Sequence, residues 1–409
     1  MHGKASQPIV TRVCVFSVSF PSQDGGIAVY AMEVARGLAA RGIPVVVGAG
    51  STDPQKDREI DAGLPYPVIR FPRVKNKAAN LYYRIRALVA CVRRLHPEWV
   101  LATDWYGAGT VAWALSGPLG FRYAVAAHGN EILQCRSSAI LRAMCRVVMS
   151  GAGGVFAISR NTSELVKEII GADILVRTIP VGVNPALLEA PISPVALRQQ
   201  LGVSGRPVIL SLGRLVRRKG HDRIMQAMPE VIRAVPDAVW LIAGKGAYED
   251  TLRGMAKTLG LEKHVLFLGY VDISLKGAYY GLCDVYVLVP RTIEAEAEVE
   301  GFGIAFLEAS LAGRPIVAGR SGGVSDAVID GETGILVDPE SPAEIASAVV
   351  RLLQNPHEAR RLGENGRNRV LTGFTWDHTL AGLIEALGLE GGSGPARGGT
   401  DKSDPEDER

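Results

Sequence analysis

The sequence predicts an α/β protein built from two Rossmann-like, doubly wound units facing each other across a cleft. Three observations carry this expectation. Short β-rich runs alternate with helical periodicity through the first half. A proline-rich stretch, IPVGVNPALLEAPISP, then breaks the pattern, and a second alternation follows it. Strands alternating with helices favour parallel sheets, and 409 residues suffice for two such units.

In chain order, Arg12–Val18 reads as a buried strand and Ala28–Ala40 as an amphipathic helix. Val45–Val47, Val68–Phe71, Trp99–Leu101, Tyr123–Ala127 and Val155–Ile158 are further strands. Helices at Ala79–Leu95 and Ser137–Met149 fall between them. The break at Pro180–Pro194 is the expected linker. The second unit reads as strands at Pro207–Leu212, Val239–Ala243, Val265–Leu268, Val285–Val289, Pro315–Val317 and Ile335–Val337. Helices at Asp222–Ala234, Tyr248–Leu259 and Gly303–Ala312, and others after Ser341, complete it. The expected division is residues 1–182 plus about 373–390 in one unit and 195–372 in the other. The Gly-, Pro- and charge-rich tail 391–409 is expected to be disordered.

Composition narrows the function classes. No run of 18 apolar residues occurs and the first residues lack a secretory h-region, so a cytoplasmic protein is expected. Five scattered cysteines without metal-site spacing read as reduced and buried. No Asp-x-Asp motif is present and no metal is expected. Residues 1–180 carry 21 basic and 12 acidic side chains, whereas the remainder carries 24 and 30. A basic first half suits an anionic partner. The basic residues lack interleaved aromatics or a recognised module, so nucleic acid is not the expected partner.

Ligands of open α/β sheets bind beyond the carboxyl ends of the strands. After the first strand come Gly25 and Gly26 at a helix start, where bare N–H groups attract anions. After the first strand of the second unit, Arg214 and Lys219 can neutralise a diphosphate. Gly244-Lys-Gly246 and Gly48-Ala-Gly50 lack the third glycine and the position of a dinucleotide fingerprint. In EGFGIAFLEAS, Gly301 and Gly303 precede an apolar helix, with Glu300 before its start and Glu308 little more than a turn inside. Carboxylates accept hydrogen bonds from sugar hydroxyls, while core pairing with a Lys or Arg is the plainer role for Glu308. His128 follows a strand and precedes Gly129, which suits a cleft-facing side chain. On the helix 79–95, Leu81, Ile85, Leu88, Val92 and Leu95 share an apolar face. Arg86 and Arg93, with Arg73, Lys75 and Lys77 in the preceding loop, could form a basic skirt for peripheral contact with anionic membrane.

Together DGGIAVY, AHGNE, AISRNT, GRLVRRKGHD, GKGAYEDTL, CDVYVLVP and residues 300–338 resemble the family 4 retaining glycosyltransferases, from about Arg12 to Leu387. The acidic run Glu294, Glu296, Glu298 resembles that of the phosphatidylinositol mannosyltransferase-like branch. The resemblance implies the GT-B fold, a nucleotide-diphosphate sugar donor (GDP-mannose or a UDP-hexose), no cofactor, and metal-independent transfer. The acceptor would be a glycan, a lipid-linked glycan or a small molecule. It also implies roles. Arg214 and Lys219 would bind the diphosphate, Glu308 the ribose, and Glu300 the moving sugar. The Gly301, Phe302, Gly303 and Ile304 backbone would lie near sugar and phosphates, with Gly25 and Gly26 opposite. His128 would stand beside the reacting carbon, and Tyr270 and Val271 near the base. The segment 372–387 would cross back to the first unit. A sugar-nucleotide epimerase or hydrolase of the same fold, and a non-catalytic binder, are the rival readings.

Overall fold

The computed structural model describes residues 11–23 and 25–389. The expected tail 391–409 and Asp24 lie outside the described residues.

Two all-parallel sheets organise the molecule. The first contains β1 (Val13–Ser17), β2 (Val45–Ser51), β3 (Val68–Pro72), β4 (Trp99–Ala102), β5 (Arg122–Ala127), β6 (Gly154–Ala157) and β7 (Val176–Thr178) in the order β3-β2-β1-β4-β5-β6-β7. The second contains β8 (Val208–Leu212), β9 (Val239–Ala243), β10 (Val265–Gly269), β11 (Val285–Leu288), β12 (Ile316–Gly319) and β13 (Ile335–Val337) in the order β10-β9-β8-β11-β12-β13. The strand order reverses beside the first strand of each sheet, and a reversal opens a crevice at the carboxyl ends. Both sheets belong to GT-B architecture, as the resemblance implied.

The central strands are buried throughout: VCVFS of β1, VILSL of β8 and VWLIA of β9 leave no exposed residue. A strand covered by helices on both faces needs such unbroken apolar runs. The sequence reading ended β2 at Val47, but the strand runs on through Gly48 and Gly50. A side chain on Gly48 would collide with the Phe16 ring, and one on Gly50 with the Val18 carbonyl. Those glycines serve close packing. β7 was not anticipated; it has three residues, and Arg177 and Thr178 are exposed. All five cysteines are buried free thiols.

The chain crosses between the sheets twice, and the two crossings lie side by side. Val183 N–H donates to the Phe374 carbonyl (2.9 Å), and Trp376 N–H donates to the Val183 carbonyl (3.3 Å). Gly182 allows this, because a Cβ there would strike the Thr375–Trp376 backbone. The last helix, Trp376–Leu387, then packs against helix Gly26–Ala40. Leu380 fills the space above Gly37, Arg41 pairs with Asp377 at 2.6 Å, and Thr379 Oγ1 donates to the Pro180 carbonyl. The helix Trp376–Leu387 thus lies against helix Gly26–Ala40.

Candidate active site

Two helix N-termini meet where the sheets face each other. Helix Gly26–Ala40 follows β1, and its capping residue Gly25 (φ 141°) offers no side-chain cap. Helix Ile304–Leu311 follows Gly303 (φ 97°), which also offers none. A Cβ placed on Gly26 would stand 3.8 Å from Ile304 Cδ1, so the two ends nearly touch. Each end carries unpaired N–H groups and partial positive charge. Their convergence favours a multiply charged anion.

Beside this point lies a buried ion cluster. Glu300 Oε2 accepts from Arg218 Nη1 at 2.6 Å and from Lys219 Nζ at 2.7 Å. Burial pushes the Glu300 carboxyl up, but Lys219 and Arg218 outweigh it and hold the pKa below the usual carboxylate value. Burial pulls Lys219 down against the opposing charge of Glu300, and Arg218 and Arg214 add to the fall. Among the described residues, Glu300 Oε1 takes no protein hydrogen bond, so a lone-pair face remains for a ligand hydroxyl. Arg218 does not emerge from the sequence, where Arg214 and Lys219 alone are singled out of the basic loop. In the fold it is buried, on a 3₁₀ turn Arg217–Lys219 ending at Gly220 (φ 77°). Arg214 stays exposed, without an ion pair among the described residues.

The loop holding these cations is pinned by glycines. Leu215 N–H donates to the Lys245 carbonyl at 3.0 Å. Side chains on Gly244 and Gly246 would strike the Gly213 and Leu215 carbonyls. This close backbone approach explains Gly244-Lys-Gly246 without a dinucleotide.

Glu308 is buried in helix Ile304–Leu311 and already has partners. Tyr280 OH donates to Oε2 at 2.6 Å, and Lys276 Nζ donates to Oε1 at 3.0 Å. The plainer role, pairing with a lysine, is thus present. Phe302 is a core side chain stacked on Phe374, with centroids 6.0 Å apart, so only its backbone faces the seam. Tyr270 is exposed just past β10, and Val271 is partly buried.

From the first sheet, His128 enters at the carboxyl end of β5. Its Nε2 lies 2.9 Å from the Thr103 carbonyl, which can only accept, so Nε2 carries the proton and Nδ1 the lone pair. Tyr30 meets the ring edge-on at 5.2 Å. Burial lowers the imidazole pKa to about 4 against the pull of Asp104 and Thr103, so the ring is neutral near pH 7. The His128 carbonyl abuts Gly301, leaving no space for a side chain there. Three polar ties join the same faces: Asn130 Oδ1 accepts from Val299 N–H at 2.9 Å, Arg160 pairs with Asp326 at 2.6 Å, and Arg136 pairs with Glu294 at 2.9 Å. The residues picked from sequence at 25–26, 128, 214–219 and 300–304 therefore gather at one seam. Among the described residues, no group of three or more His, Cys, Asp or Glu is placed to hold a metal ion.

Known proteins resemble this chain in sequence and in fold. The Glycosyltransferase Family 4 profile matches residues 24–187, and the Glycosyl transferases group 1 profile matches residues 196–369. A GDP-mannose-dependent alpha-(1-6)-phosphatidylinositol monomannoside mannosyltransferase of Mycolicibacterium smegmatis is 34% identical over 375 residues, covering 90% of this chain and 96% of its own. A D-inositol 3-phosphate glycosyltransferase of Acidothermus cellulolyticus is 29% identical, covering 88% of this chain and 84% of its own. Among solved structures, HepE from Anabaena with UDP and glucose superposes with a TM-score of 0.78 at 21% identity, over 92% of this chain and 99% of that one.

Proposed function

The chain belongs to the family 4, group 1 glycosyltransferases, and on that premise we propose that it moves mannose from GDP-mannose to a hydroxyl of a lipid-linked glycan, with retention and without a metal ion. The observation that carries this reading is the meeting of two uncapped helix ends, Gly26 and Gly303–Ile304, beside Arg218, Lys219 and Glu300. The choice of mannose rests on the relatives whose names specify GDP-mannose.

In this reading the bond from the sugar C1 to the diphosphate oxygen breaks, and the negative charge that develops is taken up by Arg214, Arg218, Lys219 and the helix N–H groups. Preorganised positive groups of this kind lower the barrier most when water is excluded. The sugar passes through an oxocarbenium-like state. The acceptor oxygen bonds C1 from the face the diphosphate leaves, and its proton passes to a departing phosphate oxygen. Neutral His128 offers the Nδ1 lone pair to a sugar hydroxyl. Glu300 Oε1 accepts from another, and Glu308 accepts from the ribose. No observation favours the epimerase, hydrolase or non-catalytic reading.

The protein would work at the inner face of the cell membrane. Among the described residues no helix is long and apolar enough to cross one. Helix Lys77–Leu95 buries Leu88 and Val92 but leaves Leu81 46% and Tyr82 54% exposed. A groove lined by Ile69, Ile85, Val89, Arg86, Arg93 and Arg94 lies on this helix. Apolar surface rimmed by arginines suits an anionic lipid interface. Sedimentation with anionic but not zwitterionic vesicles at low salt is expected; equal recovery in both supernatants would remove the membrane step.

The test of the function is a donor panel of GDP-mannose, UDP-glucose, UDP-N-acetylglucosamine and UDP-galactose, each with and without cell lipid extract and with EDTA present. GDP release that depends on the extract and resists EDTA supports the proposal. Preference for a UDP-sugar, or release that ignores the extract, overturns it.

A further inference from the structure

The first unit grips the main chain on both sides of Glu300. Val299 belongs to the second unit, yet it is buried in an apolar cluster whose other members all come from the first, Ile132 and Leu133 among them. Its N–H donates to Asn130 Oδ1 at 2.9 Å. A backbone N–H can only donate, so the oxygen of the Asn130 amide faces it. Asn130 opens the short helix Asn130–Leu133 directly after Gly129 (φ 107°). On the other side of Glu300, Gly301 lies against the His128 carbonyl. A further hold is indirect. The Glu300 carbonyl accepts from Gly323 N–H at 2.8 Å, and Gly323 caps the turn Val324–Ala327 that carries Asp326. Asp326 Oδ2 accepts from the N–H groups of Arg160 (2.7 Å) and Asn161 (3.3 Å) in the first unit, and Oδ1 accepts from Arg160 Nε at 2.6 Å. The Glu300 side chain is held differently. Its Oε2 is taken by Arg218 and Lys219, both of the second unit. With Oε2 anchored there, the direction of Oε1 follows from where the main chain of 299–301 stands, and the first unit sets that.

We propose that Asn130 is a positioning residue for sugar transfer: by holding the Val299 N–H it aims Glu300 Oε1 at the sugar, and Asp326 steadies the same loop from its far side. The inference rests on the glycosyl-transfer reading and deepens it, because it makes the aim of a second-unit carboxylate depend on contact with the first unit. A loosened loop has a defined chemical consequence. The seam then admits water. A water oxygen, in place of the acceptor oxygen, bonds C1, the bond from C1 to the diphosphate oxygen breaks, and the proton of the water passes to the departing phosphate. The products are GDP and free mannose. Asn130 thus governs how much of the GDP release is coupled to transfer.

The test compares Asn130→Ala, which removes the acceptor of the Val299 N–H, with Asn130→Asp, which keeps one. Three readouts are taken: kcat and donor KM for GDP-mannose with a phosphatidylinositol-glycan acceptor, free mannose formed per GDP released, and amide hydrogen exchange at Val299 in the GDP-bound protein. Asn130→Ala should lower kcat about tenfold, the scale of one hydrogen bond, and speed Val299 exchange by a similar factor. Donor KM and GDP affinity should stay within about twofold of the parent, since the cations on Glu300 Oε2 lie in the second unit and the lost interaction acts on the transition state. Free mannose per GDP should rise. Asn130→Asp should restore all of these toward the parent. Asp326→Ala frees the loop from its far side with Asn130 in place; it should also raise free mannose per GDP, and it stands in if Asn130→Ala does not fold. Parent-like kcat and coupling in Asn130→Ala, unchanged Val299 exchange, or no recovery in Asn130→Asp overturns the inference. A parent protein that moves no sugar contradicts the proposed function instead, and the exchange comparison then still decides whether Asn130 holds the Glu300 loop.

Discussion

The backbone carbonyl of His128 rests directly against Gly301, across the seam between the two sheets. One residue belongs to the loop after β5 and the other to the loop that leads into helix Ile304–Leu311. The fit is made possible by a missing side chain, and it sets how closely the two helix N-termini approach.

Gly301→Ala should therefore separate stability from activity. Its Cβ would meet a backbone atom that cannot swing aside, so the sheets must part. We expect kcat/KM to fall by roughly 100-fold or more, the scale of losing one preorganised stabilising group, with thermal unfolding close to the parent. Parent-like turnover would show that this contact is not part of the working state.

Arg218→Gln tests the cation that the sequence concealed. Removing one partner of a buried pair costs roughly 3–5 kcal/mol, because it leaves the other charge stranded. Glu300 would keep only Lys219. The combined Arg218→Gln, Glu300→Gln protein should be more stable than additivity of the two changes implies. Strict additivity in urea unfolding would deny the coupling.

At Glu308 the expected signature is kinetic. Glu308→Gln should raise the donor KM about tenfold while kcat moves less, since ribose binding is shared by ground and transition states. Tyr280 and Lys276 can both still find an amide oxygen in place of the carboxylate. A fall in kcat at constant donor KM would place Glu308 in the chemical step instead.

Much of this was legible because its physics is local. Unbroken apolar runs such as VWLIA announce buried parallel strands, and paired glycines before an apolar run announce an uncapped helix start. What escaped depends on long-range placement. Lys276 and Tyr280 lie 32 and 28 residues before Glu308, on the seven-residue helix Lys276–Leu282, whose KGAYYGL has too little periodicity to stand out. Arg218 is buried only because Gly220 sits under the Val289 carbonyl and turns the loop inward. The apolar face expected on the 79–95 helix splits, with Leu88 and Val92 in the core and Leu81 outside, since a periodicity cannot tell which part of a stripe finds a neighbour.

His221 gives the molecule an acid-sensitive element. It is fully buried on Trp240 with neither ring nitrogen bonded to protein, and burial lowers its pKa to about 3, with Lys219 adding and Asp222 opposing. A folded-state value below that of the unfolded chain means the unfolded chain binds the extra proton. Its contribution is fully present above about pH 6.5 and drains as pH falls toward 3, at about 1.4 kcal/mol per pH unit. His221→Phe should keep the stack and flatten the urea-derived stability curve by that slope between pH 6 and 4.5. Parallel curves would contradict the assignment.

The most direct test of the central claim is the product itself. GDP-[1-¹³C]mannose is incubated with the protein and a phosphatidylinositol-glycan acceptor, and the new anomeric carbon is read by its one-bond C–H coupling. The account predicts one α-mannosyl product formed per GDP released, with the donor configuration kept. A β-linked product, or GDP and free mannose with nothing attached to the acceptor, would contradict it.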